Sequence, residues 1–93
     1  MQISLNGKRA IVSGSTAGIG LAIAIGLAEA GAEVVLNGRS QARVDQALKQ
    51  VRERVPAARI IGVAADLGTA EGARQLFEQV PQTDILVNNL GIF

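Results

Sequence analysis

The chain has 93 residues, 48% of them hydrophobic, which is enough for one domain with a small core. Nine basic and eight acidic residues are interspersed to a net charge of +1, and Phe77 and Phe93 are its two aromatic residues, so neither a basic field nor a stacking platform exists for nucleic acid, and nothing draws an anionic membrane. Without cysteine there are no disulfides, and without cysteine and histidine a transition-metal site lacks its customary ligands; the composition suits a reducing cytoplasm.

The first apolar run of strand length covers residues 9–13. It flows into Gly14-Ser15-Thr16-Ala17-Gly18-Ile19-Gly20 and then into a helical stretch in which Ile19, Ala22, Ile23, Gly26, Leu27 and Ala30 follow the three-four spacing of one face. Gly31 stands where a helix C-terminal glycine belongs. A second apolar run covers 33–37, after which Ser40 can cap a helix with the stripe Val44, Ala47, Leu48, Val51 and Val55, ending before Pro56. The third run covers 59–64. Thr69 can then cap a third helix, with Ala73, Leu76, Phe77 and Val80 on one face and Pro81 behind it, and a fourth run covers 85–88.

Residues 11–28 carry no charge, follow Lys8-Arg9 and precede Ala30, which imitates an export signal or a short membrane span. Four glycines and the Ser13, Ser15, Thr16 cluster argue against it, because such irregular backbone would need hydrogen-bond partners inside lipid. Continuous apolar runs alternating with helices predict an α/β chain instead, with strands buried on both faces of a parallel Rossmann-type sheet. Right-handed crossovers give strand order 3-2-1-4, with the first two helices on one face and the third on the other. A ligand is expected at the carboxyl ends of the strands, where the winding reverses between the first and fourth.

The turn at Gly14 lies at that seam. Glycine serves where the backbone takes positive φ or where a Cβ would strike a phosphate, and the following helix directs free N–H groups at an anion. Gly14 would make the turn, Gly18 would let a pyrophosphate approach, and Gly20 would let helix and sheet pack closely. Taken alone, the glycines also fit a close-packed turn that binds nothing, Asp66 fits an ordinary turn aspartate, and Asn88 and Asn89 fit sheet-end amides.

Together, Gly14-x-x-x-Gly18-x-Gly20, Asp66-Leu67 and Asn88-Asn89-Leu90-Gly91 stand in an order and spacing that resembles the short-chain dehydrogenase/reductase family, over the whole chain. The resemblance implies that Gly14, Ser15, Thr16, Gly18, Ile19 and Gly20 hold the pyrophosphate and that Asp66 and Leu67 meet the adenine. It implies that Asn88, Asn89, Leu90 and Gly91 support the sheet and the adenine-side ribose. Leu90 departs from the family's alanine. At the end of the second strand an acid would accept from the ribose 2′-hydroxyl of NAD, and Gly38 stands about where NAD-preferring relatives carry one. The run here is Asn37-Gly38-Arg39-Ser40, in which Arg39 can pair with a 2′-phosphate, helped by the hydroxyl of Ser40 or Thr16. The expected cofactor is therefore NADP, with NAD the alternative.

The resemblance also implies a catalytic tyrosine, a lysine four residues later and an upstream serine, all beyond residue 93. This chain has no tyrosine, and Lys8 and Lys49 fall on the wrong sides of the predicted sheet and helix. Residues 1–93 are thus expected to be the cofactor-binding amino-terminal part of a longer, homo-oligomeric enzyme, ending after the fourth strand. That enzyme would move hydride between the nicotinamide and a small carbonyl or alcohol substrate, while this part binds cofactor without turnover. A free-standing nucleotide sensor is the alternative from the binding-module class. A methyltransferase-like fold fits less well, for it would want an acid where Gly38-Arg39 stands. An apolar edge is expected at Ile85, Leu86 and Val87, with self-association or only marginal folding of residues 1–93 as its consequence.

Overall fold

A computed structural model describes residues 4–89. The elements follow in the order β1 (Arg9–Val12), α1 (Gly18–Glu29), β2 (Glu33–Gly38), α2 (Gln41–Arg54), β3 (Arg59–Ala64), α3 (Ala70–Gln79) and β4 (Ile85–Val87). The four strands form one parallel sheet in the expected order β3-β2-β1-β4. Among the described residues no helix is long and apolar enough to cross a membrane, and the uncharged stretch 11–28 is divided between β1, a turn and α1.

Local chemistry sets most element boundaries. Ser40 accepts a hydrogen bond from the Arg43 N–H and starts α2, and Thr69 accepts one from the Gly72 N–H and starts α3. Gly31, at φ 97°, turns the chain after α1 as a left-handed residue, while α2 and α3 stop at Val55 and Val80, just before Pro56 and Pro81. Ser13 and Asn88, expected as strand ends, lie just past β1 and β4, and β2 runs on to Gly38.

Side chains alternate across the sheet as the parallel register requires. Val12, Val34, Leu36 and Ile60 pack against Ala24 and Ala28 of α1 and Ala47 and Val51 of α2. Ile11, Val35 and Val63 face the other way, onto Leu76 of α3 and Val80. At the amino ends of the strands, the Arg9 N–H donates to Asp84 Oδ2 at 2.9 Å, the Asp84 N–H returns to the Arg9 carbonyl, and the Arg9 guanidinium pairs with Glu33 at 3.1 Å. These contacts lock β4 and β2 to either side of β1.

The expected stripe on α1 needs correction. Ile19 is 74% exposed and Ala22 and Gly26 face solvent; the buried positions are Gly20, Ala24 and Ala28. Helix α1 is apolar nearly all round, so hydrophobic spacing gives it no preferred side. Its packing face is centred on the row of smallest residues at four-residue spacing, which lets the helix backbone come close to β1 and β2, and of the expected stripe Ile23 and Leu27 pack partly buried against the same core.

Leu86 on the edge strand is 59% exposed, and Ile61 and Phe77 are about half exposed. Ile61 and Leu86 lie in the same register row as Ile11 and Val35, on the face that α3 covers. Ile11 and Val35 are buried in the middle of that row, and the exposed apolar edge of β4 at Leu86 invites pairing with another copy. The 93-residue chain is expected to associate as its concentration rises. Leu86→Lys should shift the sedimentation profile toward monomer, whereas a wild-type chain that stays monomeric at millimolar concentration would remove this reading of the edge.

Candidate functional site

A cleft of about 1000 Å³ opens at the carboxyl ends of the strands. One wall comes from Gly14, Thr16 and Asn89, another from the β2 end and the start of α2 through Gly38, Arg39, Ser40 and Arg43, and the floor from Asn37, Ala65 and the Asp66 turn. It sits beside the junction of β1 and β4, where the winding reverses.

The turn after β1 is built from the inside. Gly14 has φ 57°, and its N–H donates to Asn37 Oδ1 at 3.2 Å. Ser15 is fully buried; its hydroxyl donates to the Val12 carbonyl at 2.7 Å and accepts from the Asn37 N–H at 2.9 Å, while its own N–H donates to the Asn37 carbonyl. Both donors of Ser15 are thereby committed within the fold, so this residue shapes the turn from beneath rather than presenting a hydroxyl to the cleft.

Asn37 carries a role that sequence reading passed over. Its side chain is 2% exposed and joins three segments: Oδ1 accepts from Gly14, and Nδ2 donates to the carbonyls of Val63 at 3.2 Å and Ala65 at 3.1 Å. A buried amide of this kind needs partners for each of its polar atoms, and here it has them. The available signal was a polar residue closing the buried apolar run Val34-Val35-Leu36.

From the fourth strand, the Asn89 N–H donates to Ser13 Oγ at 2.8 Å and its side-chain amide to the Gly14 carbonyl at 3.2 Å. Ser13 Oγ also lies 3.3 Å from Asn88 Oδ1. The two asparagines thus hold the end of β4 against the glycine turn. Leu90 and Gly91 lie outside the described residues.

Helix α1 then begins at Gly18, which has φ 60° and open space where a Cβ would stand. Its N-cap, Ala17, is extended and has no side-chain cap bond, so the first-turn amides keep the positive end of the helix open. Gly20 is different: a Cβ there would lie 2.5 Å from the Gly14 carbonyl oxygen and 2.5 Å from Asn89 Nδ2. The Asp66 turn is equally compact. Asp66 Oδ1 accepts from the Gly68 N–H at 2.9 Å, Thr69 Oγ1 donates to the Asp66 carbonyl, and a Cβ on Gly72 would overlap the Asp66 backbone.

Gly14, Thr16, Arg39, Ser40, Asp66, Leu67 and Asn89 therefore share one cleft, as their positions in the sequence led one to expect. Gly18 and Ile19 are exposed at the head of α1, and Gly20 is buried behind them. Arg43, in the first turn of α2 and four residues beyond Arg39, lines the same cleft and was not among the expected residues.

A parallel sheet in this order, with a glycine turn and an open helix head at its switch point, defines the class of dinucleotide-binding α/β folds. The family model described as short chain dehydrogenase matches residues 8–93, and the chain belongs to that family. It is 50% identical to the uncharacterized oxidoreductase YvaG of Bacillus subtilis (strain 168), over 100% of this chain and 35% of that protein. The L-sorbose reductase of Gluconobacter frateurii, solved in complex with NADPH and L-sorbose, superposes with a TM-score of 0.91 at 41% identity, over 99% of this chain and 36% of that one. The Pseudomonas aeruginosa RhlG/NADP complex gives 0.87 at 35% identity, over 98% of this chain and 37% of that one. The chain thus spans about a third of the length of the proteins it resembles.

Proposed function

We propose that residues 1–93 form the NADP(H)-binding amino-terminal part of an oxidoreductase that moves hydride between the nicotinamide and a small carbonyl or alcohol substrate. The observation that carries this reading is the β2 end: Gly38, Arg39 and Ser40 open into the same cleft as the glycine turn, and no acid stands among them. Gly38 leaves little scope for one, because a Cβ there would overlap the Thr16 methyl and crowd Val44.

In this reading the open amides at the head of α1, around Gly18 and Ile19, take the pyrophosphate, and Gly14 and Gly20 fix their position. Arg39, with Ser40 and Thr16, takes the 2′-phosphate through charge-assisted hydrogen bonds. Asp66 and Leu67 meet the adenine, and Asn88, Asn89, Leu90 and Gly91 support the ribose side. Ser15 acts through the turn it braces. The coenzyme supplies the hydride chemistry when bound. The tyrosine that the family resemblance implies for proton transfer at the substrate is not among these 93 residues, which contain no tyrosine. The chain is therefore expected to bind without turnover, and the longer protein to act as a homo-oligomer in the cytoplasm.

Titration calorimetry with NADPH and NADH tests the assignment. Wild type should prefer NADPH, and Arg39→Ala should weaken NADPH by roughly tenfold, about 1.4 kcal/mol, while leaving NADH unchanged. Equal affinity for the two coenzymes in both proteins would remove the 2′-phosphate subsite. No binding of either by a folded chain would remove the whole reading.

A further inference from the structure

We infer that Arg43 is a second specificity-determining side chain of the 2′-phosphate subsite, acting as a pair with Arg39. This inference rests on the NADP(H) reading above. Arg43 lies in the first turn of α2, where its N–H is bound by Ser40 Oγ at 3.4 Å, and it lines the cleft together with Arg39 and Ser40. Among the described residues, neither the Arg39 nor the Arg43 side chain has an ion-pair or hydrogen-bond partner.

The surroundings give Arg43 no counter-charge of its own. The positions three and four residues away are Arg39, Ser40, Gln46 and Ala47, none of them acidic. Asp45, on the same helix, accepts from the Gln41 side chain at 2.8 Å, and the first turn of α2 holds no acid. Two guanidinium groups therefore share the amino-terminal end of a helix, where the macrodipole is positive. That placement is unfavourable in the free chain and becomes favourable when an anion of high charge enters between them.

A 2′-phosphate fits this demand. It carries roughly −1.5 to −2 charges at neutral pH and three acceptor oxygens. One planar guanidinium can bridge two of those oxygens, which leaves the third for a second donor. A ribose 2′-hydroxyl offers no such charge, so Arg43 should contribute to discrimination between coenzymes rather than to binding of their common parts.

Adenosine 2′,5′-bisphosphate and AMP are suitable probes, because they share the adenosine 5′-phosphate and differ in the 2′-phosphate. Wild type should bind the bisphosphate more tightly. Arg43→Gln should lower that affinity by about tenfold without changing the affinity for AMP, and Arg43→Lys should keep part of the preference. The position is on the helix surface, and far-UV circular dichroism checks that the variants fold. If Arg43→Gln keeps the wild-type preference while Arg39→Ala abolishes it, the pairing is overturned and the NADP(H) reading stands. If wild type itself fails to distinguish the probes, both fall together.

Discussion

Asn37→Ala is expected to lower the unfolding free energy by about 3 kcal/mol and to weaken coenzyme binding with it. The substitution strips partners from the Gly14 N–H and from the carbonyls of Val63 and Ala65, all bound by this one side chain. Each buried group left unsatisfied costs roughly 1–3 kcal/mol, discounted where relaxation or water can reach it. A 93-residue domain has on the order of 10 kcal/mol to lose, so the change should be plain in a urea titration. Unfolding at the wild-type urea concentration would show that the amide does not bridge the three segments.

Asn37→Asp sharpens the test because it conserves shape. The introduced carboxylate can still accept from Gly14, yet its second oxygen would face two carbonyl oxygens where Nδ2 now donates. Burial and those carbonyls favour the protonated acid, so its folded-state pKa rises above the unfolded value of about 4. The sign follows from linkage. Below the unfolded value both states are protonated and the charge penalty is absent; as pH rises, the native state holds its proton longer and stability falls. This variant should therefore be closer to wild type at pH 4 than at pH 7. A pH-independent difference would mean that the carboxylate has found water.

Much of this architecture was legible because its signals are local. Ser40 and Thr69 cap helices through hydroxyls that need no distant partner, Pro56 and Pro81 follow helix ends, and four apolar runs separated by helices leave few ways to wind a sheet. The parallel order then brings Gly14, Arg39, Asp66 and Asn89 to one end of the molecule. What the sequence concealed depends on tertiary neighbours. The side of α1 that packs could not be read from hydrophobic spacing, since the helix is apolar almost throughout and the choice falls to Gly20, Ala24 and Ala28. Which hydroxyl of the turn faces inward is likewise decided by the Val12 carbonyl and the Asn37 N–H, and these turn Ser15 away from the cleft. The roles of Asn37 and Arg43 arise only once β3 and α2 are in place.

The glycines of the turn should separate by readout, although sequence treats them as one motif. At Gly20 the demand is for space. A methyl there would meet the Gly14 carbonyl oxygen and the Asn89 amide at 2.5 Å each, and a backbone carbonyl cannot swing aside as the end of a long side chain can. Overpacking of this kind costs about 1–3 kcal/mol, offset in part by up to about 1 kcal/mol of helix propensity gained over glycine. Gly20→Ala should thus lower stability by about 2 kcal/mol and weaken binding by parting α1 from the turn. At Gly18 the protein has room for a Cβ, and the cost is the φ of 60°, about 1–2 kcal/mol for an L-residue. That Cβ would nevertheless stand where the proposed pyrophosphate approaches the helix head. Gly18→Ala should therefore keep more of the stability than Gly20→Ala and lose more of the NADPH affinity, by upwards of about tenfold. Paired urea and coenzyme titrations distinguish the two. Undiminished NADPH binding by Gly18→Ala would move the pyrophosphate away from this amide, and with it the assignment of the turn as a phosphate cradle.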